Sequence, residues 1–418
     1  MRSPYRVSFR IQNVDGGVGR VTTTPEPVRE AARRPYVAGV VAALVGFTSS
    51  FAVVLAGLRA VGASGPEAAS GLLVLCLTQA VGMLVLSWRY RIPVTLAWST
   101  PGAAMLAGAA ATDGGWPAAV GAFVVTGLLI VTTAAWPALG GLVARIPAPV
   151  AHAMLAGVLL PLCLEPVHAL TTSPWMVGPV VLTWLVLLRL APRWAVPAAF
   201  AVAMAGIGLW LARHGDALDG PLLPQLVWTT PSLEWQAVVG IALPLYVVTM
   251  AAQNVPGVAV MASYGYRVPW RATMATTGIG TVLGAPAGGH AINLAAITAA
   301  LTAGGDGGPD PRRRWLASQA AGWAYVVIAL FSTALATVVV AAPDGVVEAV
   351  AGLALVGTLG ASLHAAVTAT VRREPAVVTF VVAASGITVA GIGAAFWALV
   401  AGVVVHLVLT RPPEPARP

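Results

Sequence analysis

The chain has no lysine and little charge of either sign. Charged residues make up 9% of its 418 residues, whereas 58% are apolar and the mean hydropathy is +0.84. An ordinary soluble domain carries about 25% charged residues, so a soluble globule and a disordered chain are both excluded. The sequence pI near 10.3 comes from arginines in short clusters between apolar runs, which argues against a nucleic-acid partner. The composition predicts a polytopic membrane protein.

Cysteine is also scarce. Cys76 and Cys163 both lie in apolar runs, so no disulfide framework is expected. Residues 1–34 hold seven arginines and no apolar core, and therefore lack the hydrophobic region of a signal peptide. We expect residues 1–34 and 411–418 to form disordered cytoplasmic tails. The sequence has no metal-ligand cluster, phosphate-binding loop or catalytic-triad spacing, so we predict no cofactor, no metal and no enzymatic activity.

Fourteen apolar segments are expected to cross the membrane. Two of them, 92–112 and 286–302, are interrupted near the middle by Pro, Gly and polar residues. The others have the roughly 20 residues that a spanning helix needs. These twelve segments cover residues 36–58, 66–87, 117–136, 148–168, 174–190, 194–212, 235–262, 269–284, 315–341, 344–363, 375–391 and 393–410.

The placement of arginine supports this count. With a cytoplasmic N-terminus, only Arg59 and Arg213 fall at external segment ends, and the other 21 of the 23 arginines fall inside. The positive-inside rule demands such an asymmetry, and omitting one interrupted segment destroys it. We therefore expect an all-α protein of the cytoplasmic (inner) membrane with both termini in the cytoplasm.

The segments also form a pattern of seven plus seven around the loop at 214–232. An odd number per half forces the halves into opposite orientations, and the interrupted segments are third in each half. The first segment of each half is polar at its middle, with Ser49-Ser50 in one and Gln253-Asn254 in the other. This inverted repeat is typical of secondary transporters, and a channel or a membrane enzyme has no general reason to show it.

Each interrupted segment is predicted to be a short strand followed by a half-helix. In the first, Ser99 or Thr100 suits a helix N-cap and Pro101 suits the first turn. In the second, a glycine pair ending at Gly289 releases the backbone, and a half-helix is expected to begin near His290. The helix starts would meet in mid-membrane with unpaired N–H groups and partial positive charge. No arginine lies at that depth, so the pattern predicts an anion site of backbone N–H groups, hydroxyls and amides.

Structural explanations remain open for several of these residues. Pro and Gly also kink packed helices, and an intramembrane His is also found neutral in packing. Gln253 and Asn254 also suit hydrogen bonding between helices. We favour a functional role for His290, because it is expected to begin a half-helix and can exchange a proton near physiological pH.

Three stretches resemble a known family. Residues 97–104 (Ala-Trp-Ser-Thr-Pro-Gly-Ala-Ala), 253–260 (Gln-Asn-Val-Pro-Gly-Val-Ala-Val) and 285–298 together look like the benzoate/proton symporter (BenE-type) family. The resemblance runs from about Arg34 to about Leu409. It implies the architecture of the uracil-permease and sulfate-permease group, in which segments 1–4 and 8–11 form a core domain and the rest form a gate domain. Homodimers are common in that group.

The implied domain boundaries follow from this architecture. The core domain would consist of residues 35–145 and 233–341, and the gate domain of residues 146–232 and 342–410. Gln253 stands where nucleobase permeases of this fold use a carboxylate. An amide at this position fits an anionic substrate better, because a carboxylate would repel it.

Taken together, the residues and the resemblance predict import of an aromatic carboxylate, with benzoate as first choice, by proton symport. Trp98 would stack on or wall the ring, and His290 would carry the proton. The predicted substrate-binding residues are Trp98, Ser99, Thr100, Gly102, Gln253, Asn254, Gly289, His290 and Asn293. The first alternative is transport of another small anion or a nucleobase on the same fold. A membrane-embedded enzyme using Ser99 and His290, and a passive channel, are more remote alternatives.

Overall fold

The computed structural model describes residues 28–109, 114–136, 146–214, 221–296, 298–368 and 373–409. Most of these residues are helical. The helices are α1 (Val28–Thr48), α2 (Phe51–Ala60), α3 (Gly65–Tyr90), α4 (Thr100–Ala107), α5 (Gly115–Ala135), α6 (Ala148–Thr172), α7 (Pro174–Leu190), α8 (Ala195–His214), α9 (Trp235–Ser263), α10 (Trp270–Gly284), α11 (Thr298–Ala303), α12 (Trp315–Val340), α13 (Val346–Val367), α14 (Glu374–Ala384) and α15 (Ala394–Leu409). The strands are β1 (Leu96–Trp98), β2 (Ile292–Leu294), β3 (Thr388–Val389) and β4 (Ile392–Gly393).

The outer surface of the helices is suited to lipid. Within the described residues, eight helical stretches are long and apolar enough to cross a membrane, and α7, α14 and α15 are shorter apolar helices. Large apolar side chains such as Leu190, Trp175 and Val408 are more than two-thirds exposed. Apolar surface on this scale belongs in a bilayer rather than in water. The chain is a multi-pass membrane protein, and the count of fourteen segments remains a prediction.

Three predicted boundaries differ from the structure. The tail 1–34 is too long, because α1 already begins at Val28, where a run of Arg, Glu and Ala favours helix. The first segment is two helices, broken at Ser49-Ser50. The segment 375–391 is helical only to Ala384, and the β3–β4 hairpin follows because Gly386 and Gly391 adopt positive φ. Residues 1–27 and 411–418 lie outside the described residues.

The two interrupted segments pair with each other through their strands. β1 and β2 are antiparallel, with Leu96 opposite Leu294 and Trp98 opposite Ile292. The pairing extends beyond the strands, because the Ser99 N–H donates to the Ala291 carbonyl at 2.8 Å. At membrane depth a buried backbone needs partners from protein, and each strand supplies them to the other. The predicted strand followed by a half-helix is thus present in both segments.

The second half-helix begins later than predicted, at Thr298 rather than near His290. A 3₁₀ turn ends at Ala287, and Gly288 turns the chain with a φ of +90°. The chain is then extended through β2, where the Ile292 N–H donates to Thr281 Oγ1 at 3.1 Å. The glycine pair therefore starts a strand, because the partner strand offers its backbone hydrogen bonds at this position.

Helix packing divides into two groups. In one, α3 and α1 pack against α12, and α5 packs against α10. In the other, α6 packs against α13 and α14, and α7 packs against α8. The strand crossing and the two half-helices lie next to the first group, with α4 packed on α2 and α11 on α1.

Candidate functional site

A cavity of about 230 Å³ lies where the two interrupted segments meet. Its walls come from α1 and the break after it, from β1 and the start of α4, from α9, from the start of α11, and from α12 and α13. Sites for drug-sized ligands measure about 300–1,000 Å³, so this cavity suits a smaller molecule. The cavity is mainly apolar, with a few hydroxyl and amide groups along its walls.

Trp98 forms an aromatic wall of the cavity and is only 2% exposed. Its indole Nε1 donates to Ser50 Oγ at 2.8 Å, which fixes the ring. Phe47 and Tyr325 meet the indole edge-to-face, with ring centroids 5.8 and 6.1 Å away. Because its N–H already has a partner, Trp98 offers the cavity a rigid apolar ring surface rather than a polar group.

Four polar side chains on the cavity wall, Thr100 at the start of α4, Thr298 at the start of α11, Gln253 in α9 and Thr358 in α13, have no side-chain hydrogen bond in the described part of the chain. Polar groups in protected sites normally have partners, so these unpaired groups are available to a ligand. The first three offer two hydroxyls and one amide close to two helix starts.

Ser99 and Gly102 build the start of α4 and do not line the cavity. Ser99 Oγ accepts from the Gly102 N–H at 3.1 Å, which makes the predicted N-cap, and it also accepts from Thr249 Oγ1 at 2.9 Å. A Cβ at Gly102 would collide with the Leu245 side chain. Since proline has no N–H and the Gly102 N–H is used, the Thr100 N–H is the donor that this helix start leaves for a ligand.

Asn254 and Asn293 hold the strand crossing together, outside the cavity lining. Asn254 Oδ1 accepts from the Leu294 N–H at 2.8 Å. The Asn293 amide, oriented to satisfy its neighbours, accepts from the Ser99 N–H at 3.1 Å and donates to the Leu294 carbonyl at 3.0 Å. Both side chains are fully buried. Their amide groups form hydrogen bonds with the strand backbone that a neighbouring strand would form in a larger sheet.

A π-helical turn in α9, Met250–Asn254, places the two amides of this helix on different neighbours. Gln253 reaches the cavity, while Asn254 reaches β2. Such turns shift the register of a helix and are frequent at functional sites.

Gly289 and His290 lie before β2, away from the cavity lining. A Cβ at Gly289 would come within 2.8 Å of Val74 Cγ1, so the glycine permits close packing on α3. His290 is 1% exposed and meets Phe123 edge-to-face, with ring centroids 6.4 Å apart. Neither ring nitrogen of His290 has a hydrogen-bond partner among the described residues.

The nine predicted site residues thus fall into two sets. Trp98, Thr100 and Gln253 line the cavity. The others do not line it: Ser99, Gly102, Asn254, Gly289, His290 and Asn293. Sequence reasoning missed Tyr325, Thr298 and Thr358 as lining residues, and named Ser49 and Ser50 only as a polar break. The available signal for Tyr325 was a hydroxyl in the middle of a long apolar segment.

The described residues contain no group of three or more His, Cys, Asp or Glu side chains placed to hold a metal ion. The cavity wall also carries no charged side chain. A negatively charged ligand would therefore be held by backbone N–H groups, hydroxyls and the Gln253 amide.

The family described as benzoate membrane transport protein matches residues 31–408 of the chain. Inner membrane protein YdcO of Escherichia coli (strain K12) is 38% identical over 380 residues, covering 89% of this chain and 95% of that protein. A benzoate membrane transport protein of Acinetobacter baylyi is 28% identical over 378 residues, covering 90% of this chain and 95% of that protein.

Two solved structures share the fold. The transmembrane domain of a cyanobacterium bicarbonate transporter, BicA, superimposes with a TM-score of 0.59 at 15% identity, over 95% of this chain and 100% of that one. The overall structure of SLC26A9 gives a TM-score of 0.63 at 12% identity, over 91% of this chain and 66% of that one. At these identities the likeness concerns the fold, which is that of a membrane transporter.

Proposed function

The chain belongs to the benzoate membrane transport protein family, and from this premise we propose that it imports an aromatic carboxylate, benzoate first, by proton symport. The observation that carries the proposal is the small cavity between the two half-helix starts. One wall of this cavity is a fixed aromatic ring, and other walls present polar groups without partners. An aromatic carboxylate has matching parts, namely a flat apolar ring and a negative end.

The carboxylate would bind between Thr100, Thr298 and Gln253. The Thr100 N–H, both hydroxyls and the Gln253 amide can all donate, and α4 adds the partial positive charge of its N-terminus. The ring would lie against Trp98 and Tyr325, whose edge-to-face arrangement leaves flat apolar surface for a third ring. Ser99, Asn254 and Asn293 would act indirectly, by holding the two helix starts in place.

Two rigid bodies would produce alternating access. The two helix-packing groups support the implied boundaries, with core segments in 35–145 and 233–341 and gate segments in 146–232 and 342–410. Movement of the gate group past the cavity would open it to one side of the membrane at a time. We further propose the cytoplasmic membrane as the location, with both termini in the cytoplasm, and a homodimer as the assembly.

Uptake into proteoliposomes tests the proposal. Labelled benzoate is added with the outside more acidic than the inside, and protein-free liposomes measure the passive entry of the neutral acid. Uptake above that background, abolished by a proton uncoupler, is the expected result. Uptake equal to the background would contradict aromatic carboxylate transport. Recovery of unchanged benzoate from the vesicles separates transport from the enzyme alternative.

A competition panel separates the substrate alternatives. One fold neighbour, BicA, is a bicarbonate transporter, so a small inorganic anion is the second candidate. Bicarbonate, uracil and benzoate are each added in excess to labelled benzoate. We expect inhibition by benzoate and not by bicarbonate or uracil, because burying an apolar ring against Trp98 and Tyr325 is favourable.

His290 is our candidate for the proton carrier. Its ring is buried without a hydrogen-bond partner among the described residues, and such a group calls for an explanation. We expect His290→Gln to abolish uptake driven by the pH gradient while benzoate–benzoate exchange continues. Phe123→Leu, which changes the neighbouring ring and removes no titratable group, is the matched control. Unchanged pH-driven uptake by His290→Gln would rule out the proton role.

A further inference from the structure

One wall of the cavity comes from α13. Ala354, Leu355, Gly357 and Thr358 line the cavity from this helix. Only Leu355 among them has a large side chain, and it is buried. The α13 wall is therefore built largely from small residues, in contrast to the aromatic wall formed by Trp98.

Two glycines of the cavity lining differ in the space around them. A Cβ at Gly46 in α1 would come within 2.6 Å of the Tyr325 hydroxyl and 3.3 Å of Thr298 Cγ2, so close packing already fills that side. A Cβ at Gly357 would meet no atom within 4 Å. Gly46 thus lies in a tightly packed part of the lining, whereas Gly357 is an exposed lining residue with open space beside it.

We propose that Gly357 determines the upper size of the substrate, by leaving room for a substituent on the aromatic ring. This inference rests on the proposed transport of aromatic carboxylates. With the carboxylate near Thr100 and Thr298, and one ring face against Trp98, an added group that points toward α13 would find open space beside Gly357. The substrate class of this site is therefore single-ring carboxylates that include ring-substituted ones. A side chain at position 357 would exclude the substituted acids first.

Gly360 offers a matched control on the same helix. A Cβ there also meets no atom within 4 Å, but Gly360 does not line the cavity. Both glycines lie inside α13, so replacing either by the same residue changes the intrinsic helix propensity by the same amount. A difference between the two positions therefore reports the cavity and not the stability of the helix.

The experiment measures competition against labelled benzoate uptake in proteoliposomes. Unlabelled benzoate and 4-methylbenzoate are compared as inhibitors for the wild type and for Gly357→Ala, Gly357→Val, Gly360→Ala and Gly360→Val. The readout is the ratio of the two half-inhibiting concentrations for each variant. A variant that inserts poorly lowers the uptake with both inhibitors alike, so its ratio still reports selectivity.

We expect Gly357→Val to raise this ratio at least about tenfold, since one extra or missing methylene in an apolar pocket changes discrimination by roughly 10- to 200-fold. Gly357→Ala should give a smaller rise, and both Gly360 variants should keep the wild-type ratio. An unchanged ratio in Gly357→Val, or an equal rise in Gly360→Val, would overturn the role of Gly357. Absence of benzoate uptake by the wild type would instead overturn the proposed function.

Discussion

The two interrupted segments reach one cavity by different local means. α4 has eight residues, and its start is fixed by sequence neighbours, with Ser99 as N-cap and Pro101 in the first turn. α11 has only six residues and is held from its far end, where Arg314 Nη1 donates to the Ala303 carbonyl at 2.6 Å and Nε donates to the Gly308 carbonyl at 2.8 Å. The two segments thus share a strand followed by a short helix, and each stabilises this path with its own residues.

The largest expected effect tests whether both helix starts bind the substrate. Thr100→Val and Thr298→Val each remove one hydroxyl at nearly constant shape. A hydrogen bond to a charged group contributes about 1.5–3 kcal/mol, so each variant should weaken benzoate binding roughly ten- to a hundredfold. The measurement is the half-saturating concentration for uptake. If only Thr100→Val lowers the affinity for benzoate, the first segment alone holds the carboxylate.

A second prediction concerns the amide that holds the second strand. Asn254→Leu leaves the buried Leu294 N–H without its partner, which should cost about 1–3 kcal/mol of stability and lower the unfolding temperature in detergent. The control is Met250→Leu, which removes only the weak contact between Asn254 Nδ2 and the methionine sulfur at 3.3 Å. Equal unfolding temperatures for the two variants would contradict a holding role for Asn254.

The third prediction concerns the cap of the first half-helix. Ser99→Ala removes the acceptor of the Gly102 N–H and should cost about 1 kcal/mol. The affinity for the substrate should also fall, because the carboxylate is proposed to bind beside the start of α4. Ser332→Ala, at a buried serine that bonds only to the Ala329 carbonyl of its own helix, is the control for stability and uptake. An affinity equal to that of the control would mean that the cap does not position Thr100.

The smallest effect is expected at the far end of α11. Arg314→Gln removes the positive charge near this helix end, worth about 0.3–1 kcal/mol, while the glutamine amide is still a hydrogen-bond donor at this position. The maximal rate of uptake should be unchanged and the half-saturating concentration should rise slightly, since Arg314 acts by positioning α11. Arg313→Gln changes an exposed neighbour and should leave both values alone. A fall in maximal rate without a change in affinity would argue against positioning.

The first interrupted segment was predictable in detail, and the second was not. Ser99 and Pro101 are local signals for a helix start, and the structure has the cap where the sequence predicted it. Gly288-Gly289 signals only that the backbone is free to turn. Whether a helix or a strand follows depends on β1, which lies almost 200 residues away in the sequence and supplies the hydrogen bonds.

The site was partly predictable for the same reason. Of the predicted substrate-binding residues, Trp98, Thr100 and Gln253 line the cavity, and their binding role remains a prediction. Ser99, Asn254 and Asn293 are polar residues of the same motifs, and their side chains are used by neighbouring backbone instead. A motif shows which residues are grouped along the chain, but the partner of each side chain is set by the packing of other segments. Tyr325 was missed because no neighbouring residue in the sequence marks it.

The sequence by itself determined that this chain is a membrane protein, that two of its segments are interrupted near their middle, and where the first half-helix starts. These features depend on composition and on contacts between near neighbours. The tertiary structure alone decided where α11 starts, which polar groups remain free for a ligand, and how much room α13 leaves beside Gly357. Those features depend on hydrogen bonds and packing between segments that are distant in the sequence. The local sequence around each residue does not show which distant segment it will contact.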